Sequence, residues 1–140
     1  MHRAIKARNA FMTALLAIAV VFTFSGNAFA QQKDIGRLTP TEALEYMKKT
    51  PNVFIVDVST PEKFQAEHFT GSVNIPMNEL LSRMNEIPKD RPVLIHCRLG
   101  RTCLKAYPLV KKMRPDIPEV SYIDGVPLFT EYNNWVKTQK

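Results

Sequence analysis

Residues 93–103 read Val93-Leu94-Ile95-His96-Cys97-Arg98-Leu99-Gly100-Arg101-Thr102-Cys103. An apolar run of strand length ends on a thiol, a loop with two arginines and a glycine follows, and a helical period then begins. Pro92–His96 is apolar enough to be a strand covered on both faces. From Thr102 to Met113, Leu104, Tyr107, Val110 and Met113 recur at helical spacing, with Pro108 expected to disturb the middle. A covered strand running into a helix is half of a βα unit, the building block of parallel sheets.

The same grammar extends outward on both sides. Upstream, Val53–Val58 is another covered strand. Before it, Pro40–Met47 reads as a helix, with Thr39 as N-cap, Pro40 in the first turn and Glu42 three residues after the cap. Thr60-Pro61-Glu62 opens a short helix through about Ala66, Ser72–Ile75 is a brief strand and Met77–Met84 a further helix. Downstream, Glu119–Ile123 is a strand, Asp124-Gly125 turns, and Pro127–Lys137 closes as a helix. Strands alternating with helices predict an α/β fold with a mainly parallel sheet and helices on both faces. Ligands in such folds gather beyond the carboxyl ends of the strands, where Cys97 and Asp57 both stand.

A strand-to-helix loop is a place to hold an anion. Successive main-chain N–H groups converge there and the helix N-terminus adds partial positive charge. Gly100 permits conformations that a Cβ opposes. With the helix and the arginines nearby, a thiol in that cradle is expected to ionise, whereas unassisted cysteine is only a few per cent thiolate at neutral pH. A thiolate attacking a dianion meets two repulsions of roughly 4 kcal/mol each at 4 Å and an effective dielectric near 20. Arg98 and Arg101, if aimed inward, offset these and grip oxyanions in bidentate fashion; as ordinary loop arginines they point to solvent. Asp57 reads more readily as a cap on nearby N–H groups than as a catalytic group. His96 adjoins Cys97 but faces the other way, as neighbouring strand residues do. A metal site of His96, Cys97 and Cys103 fails on that argument, so none is expected.

The first 30 residues have another character. Arg3, Lys6 and Arg8 precede an apolar stretch from about Ala10 to Phe24, and Ala28-Phe29-Ala30 supplies a small-residue cleavage site. Residues 1–30 are expected to be a cleaved Sec signal peptide, an uncleaved anchor being the alternative. No cysteine follows the cleavage site and no arginine pair marks a twin-arginine route. The mature chain, 31–140, then occupies the periplasm with no stable membrane insertion, and its length suits one domain with one core. Removing Arg3, Lys6 and Arg8 leaves 16 basic against 13 acidic residues. A balance so weak and evenly spread does not argue for nucleic acid, and no nucleic-acid partner is expected. Lys111, Lys112 and Arg114 read as cations at a helix C-terminus. Cys97 and Cys103 are the chain's two cysteines; so short a span is a poor structural staple and invites a chemical explanation.

The loop CRLGRT resembles the six-residue active loop of the rhodanese family of sulfurtransferases, in the form associated with thiosulfate. Asp57-Val58-Ser59-Thr60-Pro61-Glu62-Lys63-Phe64 and His68–Pro76 are similar to a second family segment, and Asp124-Gly125 to its closing glycine turn. The likeness spans about Gly36 to Trp135, and with the signal-like N-terminus the chain resembles small periplasmic rhodaneses of the phage-shock type. It implies a single rhodanese-like domain with about five strands and no cofactor. In it Cys97 accepts sulfur from thiosulfate as a persulfide and passes it to cyanide or a thiol. Arg98, Leu99, Gly100, Arg101 and Thr102 form the substrate cradle, and Asp57 stands in support. Three positions depart from the family: Ser59 replaces a common arginine, Val126 a second glycine, and Cys103 a serine. Cys103 is either a polar stand-in that stabilises the thiolate or a resolving thiol. Two rival functions follow: a thiol–disulfide or oxyanion reductase using Cys97 and Cys103, and a non-catalytic sulfur carrier or binding module.

Overall fold

The computed structural model describes residues 33–140; the expected signal peptide lies outside the described residues. Five strands, β1 (Lys33–Leu38), β2 (Phe54–Asp57), β3 (Val73–Asn74), β4 (Val93–His96) and β5 (Glu119–Ile123), form one sheet in the order β1-β5-β4-β2-β3. Every pairing is parallel. Four helices intervene: α1 (Pro40–Lys49), α2 (Pro61–Ala66), α3 (Cys103–Met113) and α4 (Phe129–Thr138).

Alternation along the central strands divides the core in two. Val56, Val93, Ile95 and Val120 face one side, where they meet Ala106 and Val110 of α3 and the loop residues Ile75, Leu80, Met84 and Ile87. Ile55, Leu94 and Ile123 face the other, against Ala43, Leu44 and Met47 of α1 and Phe129 and Tyr132 of α4. With both faces covered, β4 is buried at all four positions, which is why its sequence reads as a continuous apolar run. The chemistry of the site is therefore set at the end of a strand buried along its whole length.

Local signals behave as the residues dictate. Thr39 caps α1 through a reciprocal capping box with Glu42, and Lys111 and Lys112 lie in the last turn of α3 ahead of its C-cap Arg114. Two expectations change, and one strand was not foreseen. Met77–Met84 is a run of tight turns leading into a 3-10 turn at Met84–Glu86. Pro76 O and Met77 O are taken by N–H groups only three residues on, and these tight turns still bury Leu80 and Met84. Helix α3 runs continuously through Pro108, whose missing N–H leaves the Leu104 carbonyl beside a half-exposed side chain. Strand β1 carries no alternating signal; it is an edge strand with a register irregularity between Asp34 and Gly36, held by its backbone pairing to β5.

Candidate active site

The carboxyl ends of β2 and β4 lie side by side, Asp57 opposite His96 in the parallel register. The chain leaving β4 makes the loop 97–102 and enters α3 at Cys103. A pocket of about 700 Å³ opens over this loop, lined among others by Ser59, Met77, Cys97, Arg98, Arg101 and Thr102. Cys97 forms its floor: the residue is only 3 % exposed, yet it borders the pocket.

The thiol of Cys97 is pulled down to about 5, and the causes identify the cradle. The Cys103 thiol leads, against the opposing effect of burial, and the main-chain N–H groups of Cys103, Leu99 and Thr102 add to it. The guanidinium groups are not among the leading causes, so the ionisation comes from the loop itself and from Cys103. The sulfurs of Cys97 and Cys103 stand 3.8 Å apart, and the Cys103 sulfur also lies 3.1 Å from the carbonyl oxygen of Ile123. The Cys103 pKa is driven far above its ordinary value, first by the bond to Cys97 and then by burial. Of the pair, Cys97 ionises and Cys103 keeps its proton.

Gly100 shapes this loop for a specific reason. It has φ +71°, and a Cβ there would come within 2.3 Å of the backbone nitrogen of Gly125. Gly125 in turn has φ +136°, and a Cβ on it would meet Pro40 Cγ at 2.9 Å. The active loop, the turn after β5 and the start of α1 are thus locked by two positions that exclude side chains.

The two arginines differ. Arg98 lines the pocket, but one of its terminal nitrogens lies 3.4 Å from Glu67 Oε2. Its other terminal nitrogen, Nη1, is buried and has no hydrogen-bond partner among the described residues. Arg101 is exposed at the pocket rim, and so is Leu99, at 56 %. Thr102 is the N-cap residue of α3 and makes no side-chain cap bond.

Asp57 is buried, and its Oδ1 accepts the Ser59 N–H at 2.8 Å, in keeping with a cap. Ser59 Oγ then accepts the Arg98 N–H at 2.9 Å, so β2 holds the active loop through one hydroxyl. Asn74 of β3 secures this corner from below, donating to the carbonyls of Asp57 at 3.0 Å and Ser59 at 2.9 Å. Sequence reading noted Ser59 only as a missing arginine and passed over Asn74 and Glu67. A short polar residue two positions after a buried strand-end aspartate was the available signal for Ser59.

His96 is fully buried on the opposite face, where its ring meets Phe69 edge-on at 4.8 Å and Phe129 at 5.7 Å. Its Nε2 stands 3.9 Å from Asp57 Oδ2. Burial lowers its pKa to about 4 despite the raising effect of Asp57, so the ring is neutral at neutral pH and takes no part in the pocket.

Comparison with known proteins places this geometry among relatives. Residues 39–126 match the family described as Rhodanese-like domain. Over 105 residues the chain is 30 % identical to the thiosulfate sulfurtransferase PspE of Escherichia coli, covering 74 % of this chain and 79 % of that one. An HTH-type transcriptional regulator of Mycobacterium tuberculosis is 36 % identical over 77 residues, which are 55 % of this chain and 34 % of the regulator. The chain therefore spans only about a third of that relative's length. A rhodanese-like domain protein from Staphylococcus aureus superposes with a TM-score of 0.55 at 21 % identity, over 71 % of this chain and 91 % of that one; at that identity the likeness speaks for the fold.

Proposed function

The chain belongs to the rhodanese-like family, and on that premise we propose that it is a sulfurtransferase moving the sulfane sulfur of thiosulfate through a persulfide on Cys97. The Cys97 thiolate attacks the outer sulfur, sulfite departs with the electron pair of the broken S–S bond, and a Cys97 persulfide remains. A thiol or cyanide then takes that sulfur and restores the thiolate. Two half-reactions predict ping-pong kinetics. One observation carries the reading: a thiol whose pKa is lowered to about 5 by the Cys103 thiol and by converging main-chain N–H groups, at the floor of a pocket.

Thiosulfate is a dianion, and the pocket offers it two cations of different kinds. Arg98 lines the pocket and has a terminal nitrogen, Nη1, without a hydrogen-bond partner among the described residues, a donor that an oxyanion would satisfy. Arg101 at the rim attracts the anion from solvent. The pocket, at about 700 Å³, is far roomier than thiosulfate requires, which suits an organic thiol as acceptor and cyanide as its laboratory substitute. The signal-like pattern of residues 1–30 supports export, with the mature protein working in the periplasm.

Thiosulfate with cyanide, scored for thiocyanate on the wild type and on Cys97→Ala, tests the reading. Turnover by the wild type that vanishes in the variant is expected; equal turnover in both, or none in either, overturns it. The 3.8 Å contact between the two sulfurs favours a second reading, a thiol–disulfide or oxyanion reductase. That reading predicts a Cys97–Cys103 disulfide formed from its own substrates with no sulfur gained at Cys97.

A further inference from the structure

Cys103 is placed more specifically than thiolate support requires. It has no exposed surface and does not line the pocket that Cys97 borders. It touches Cys97 from the core side, 3.8 Å sulfur to sulfur, with the Ile123 carbonyl behind it. That separation is close to van der Waals contact. A second sulfur on Cys97 extends into the pocket that Cys97 borders, whereas Cys103 Sγ meets the inner sulfur from outside that pocket.

We propose that Cys103 resolves the Cys97 persulfide, attacking its inner sulfur to form a Cys97–Cys103 disulfide and releasing the outer sulfur as hydrosulfide. This rests on the sulfurtransferase reading and extends it to an activity, the reductive release of sulfide from a sulfane donor. The S–S bond of the persulfide breaks and a new one forms between the cysteine sulfurs. The outer sulfur leaves with the electron pair of the broken bond and takes up a proton from solvent in the pocket, equivalent to the one that Cys103 surrenders. Thiosulfate and the two cysteines, one thiolate and one thiol, thus yield sulfite, hydrosulfide and one disulfide. A dithiol reductant reopens the disulfide for the next round.

The order of events follows from where the charge sits. In the resting site the Cys97 thiolate holds the Cys103 proton, and a second thiolate beside the first is opposed by like-charge repulsion. Loading moves the charge one bond outward, toward the pocket, and so removes the adjacent thiolate that opposed ionisation of Cys103. The N–H groups of Leu99, Thr102 and Cys103 that face the Cys97 sulfur remain to stabilise negative charge as it leaves. Closing the disulfide needs the sulfurs to approach to about 2.05 Å, a movement within the loop and the first turn of α3.

The full chain, reduced and then freed of reductant, is mixed with an equimolar amount of thiosulfate. Sulfite and sulfide are measured, and the cysteine states are mapped by mass spectrometry. The wild type is expected to release sulfite and then sulfide, ending as the Cys97–Cys103 disulfide. Cys103→Ser is expected to release sulfite and retain the added sulfur on Cys97, its sulfide at background. Sulfite release by the wild type with a lasting persulfide, a free Cys103 and no sulfide overturns this proposal alone. So does a disulfide that forms equally well without thiosulfate. Absence of sulfite from both proteins overturns the sulfurtransferase reading, and this proposal with it. The wild-type arm decides the matter even if the variant fails to fold.

Discussion

Gly100 in the active loop and Gly125 in the turn after β5 are in such close approach that a Cβ on Gly100 would fall 2.3 Å from Gly125 N. The loop that cradles the Cys97 sulfur is thereby braced against the far side of the sheet end. Two consequences of the positive φ and the backbone clash act in the same direction. Gly100→Ala is expected to cost about 1–3 kcal/mol for backbone strain alone, with the clash in addition. Denaturant melts read the stability loss, and a slower reaction of Cys97 with iodoacetamide reads the distorted cradle. A variant as stable and as reactive as the wild type contradicts the bracing.

Ser59 carries a different load. Its hydroxyl is the acceptor for the Arg98 N–H in a buried corner organised by Asp57. Ser59→Ala removes the acceptor and leaves the donor, which costs about 1–3 kcal/mol when water cannot replace it. The expected result is a lower denaturation midpoint at an unchanged m-value, together with slower sulfur uptake. An unaltered midpoint contradicts the role assigned to the hydroxyl.

These two residues also show what was legible in the sequence. The continuous apolar run that made Pro92–His96 a covered strand, the helical period after Thr102 and the cap at Thr39 are local properties, and the structure has all three. The opposite facing of Cys97 and His96 follows from strand geometry and was equally legible. Gly100 was visible as a residue free to turn, but its contact with Gly125 depends on two loops brought together by the sheet order. The arginines illustrate the same boundary. Their positive charge is in the sequence, whereas the pairing of Arg98 with Glu67 arises only when the end of α2 is laid beside the loop. Strand β1 escaped notice because KDIGRL has only two apolar residues, its place being set by pairing with β5.

Arg98 and Arg101 are expected to affect substrate capture in separable ways. Arg101→Ala removes an exposed cation worth about 1 kcal/mol at most, so KM for thiosulfate rises several-fold at low salt and the difference shrinks as salt is added. Glu67→Gln frees Arg98 from its carboxylate partner, 3.4 Å away, and is expected to lower KM. Steady-state kinetics at two ionic strengths check both signs. A KM indifferent to both substitutions contradicts anion binding by this pair.

His96 predicts an acid limit to stability. Its folded-state pKa is about 4, depressed by burial, while an unfolded histidine titrates near about 6.5. The unfolded chain therefore binds a proton that the folded ring refuses. Stability is fully present above the unfolded value and is lost as pH falls through the folded one, so the decline spans about 6.5 to about 4. Proton NMR of the ring, followed alongside denaturant melts, is expected to show His96 still neutral at pH 5. A protonated ring at that pH contradicts the account.

The central claim is that Cys97 is a thiolate held by the loop, and its titration tests this most directly. The rate of iodoacetamide addition to Cys97, located by peptide mass mapping, is measured against pH. The account predicts a midpoint near 5, the value set by the Cys103 thiol and the main-chain N–H groups, with a plateau through neutral pH. A midpoint at the free-cysteine value of about 8.5 contradicts it.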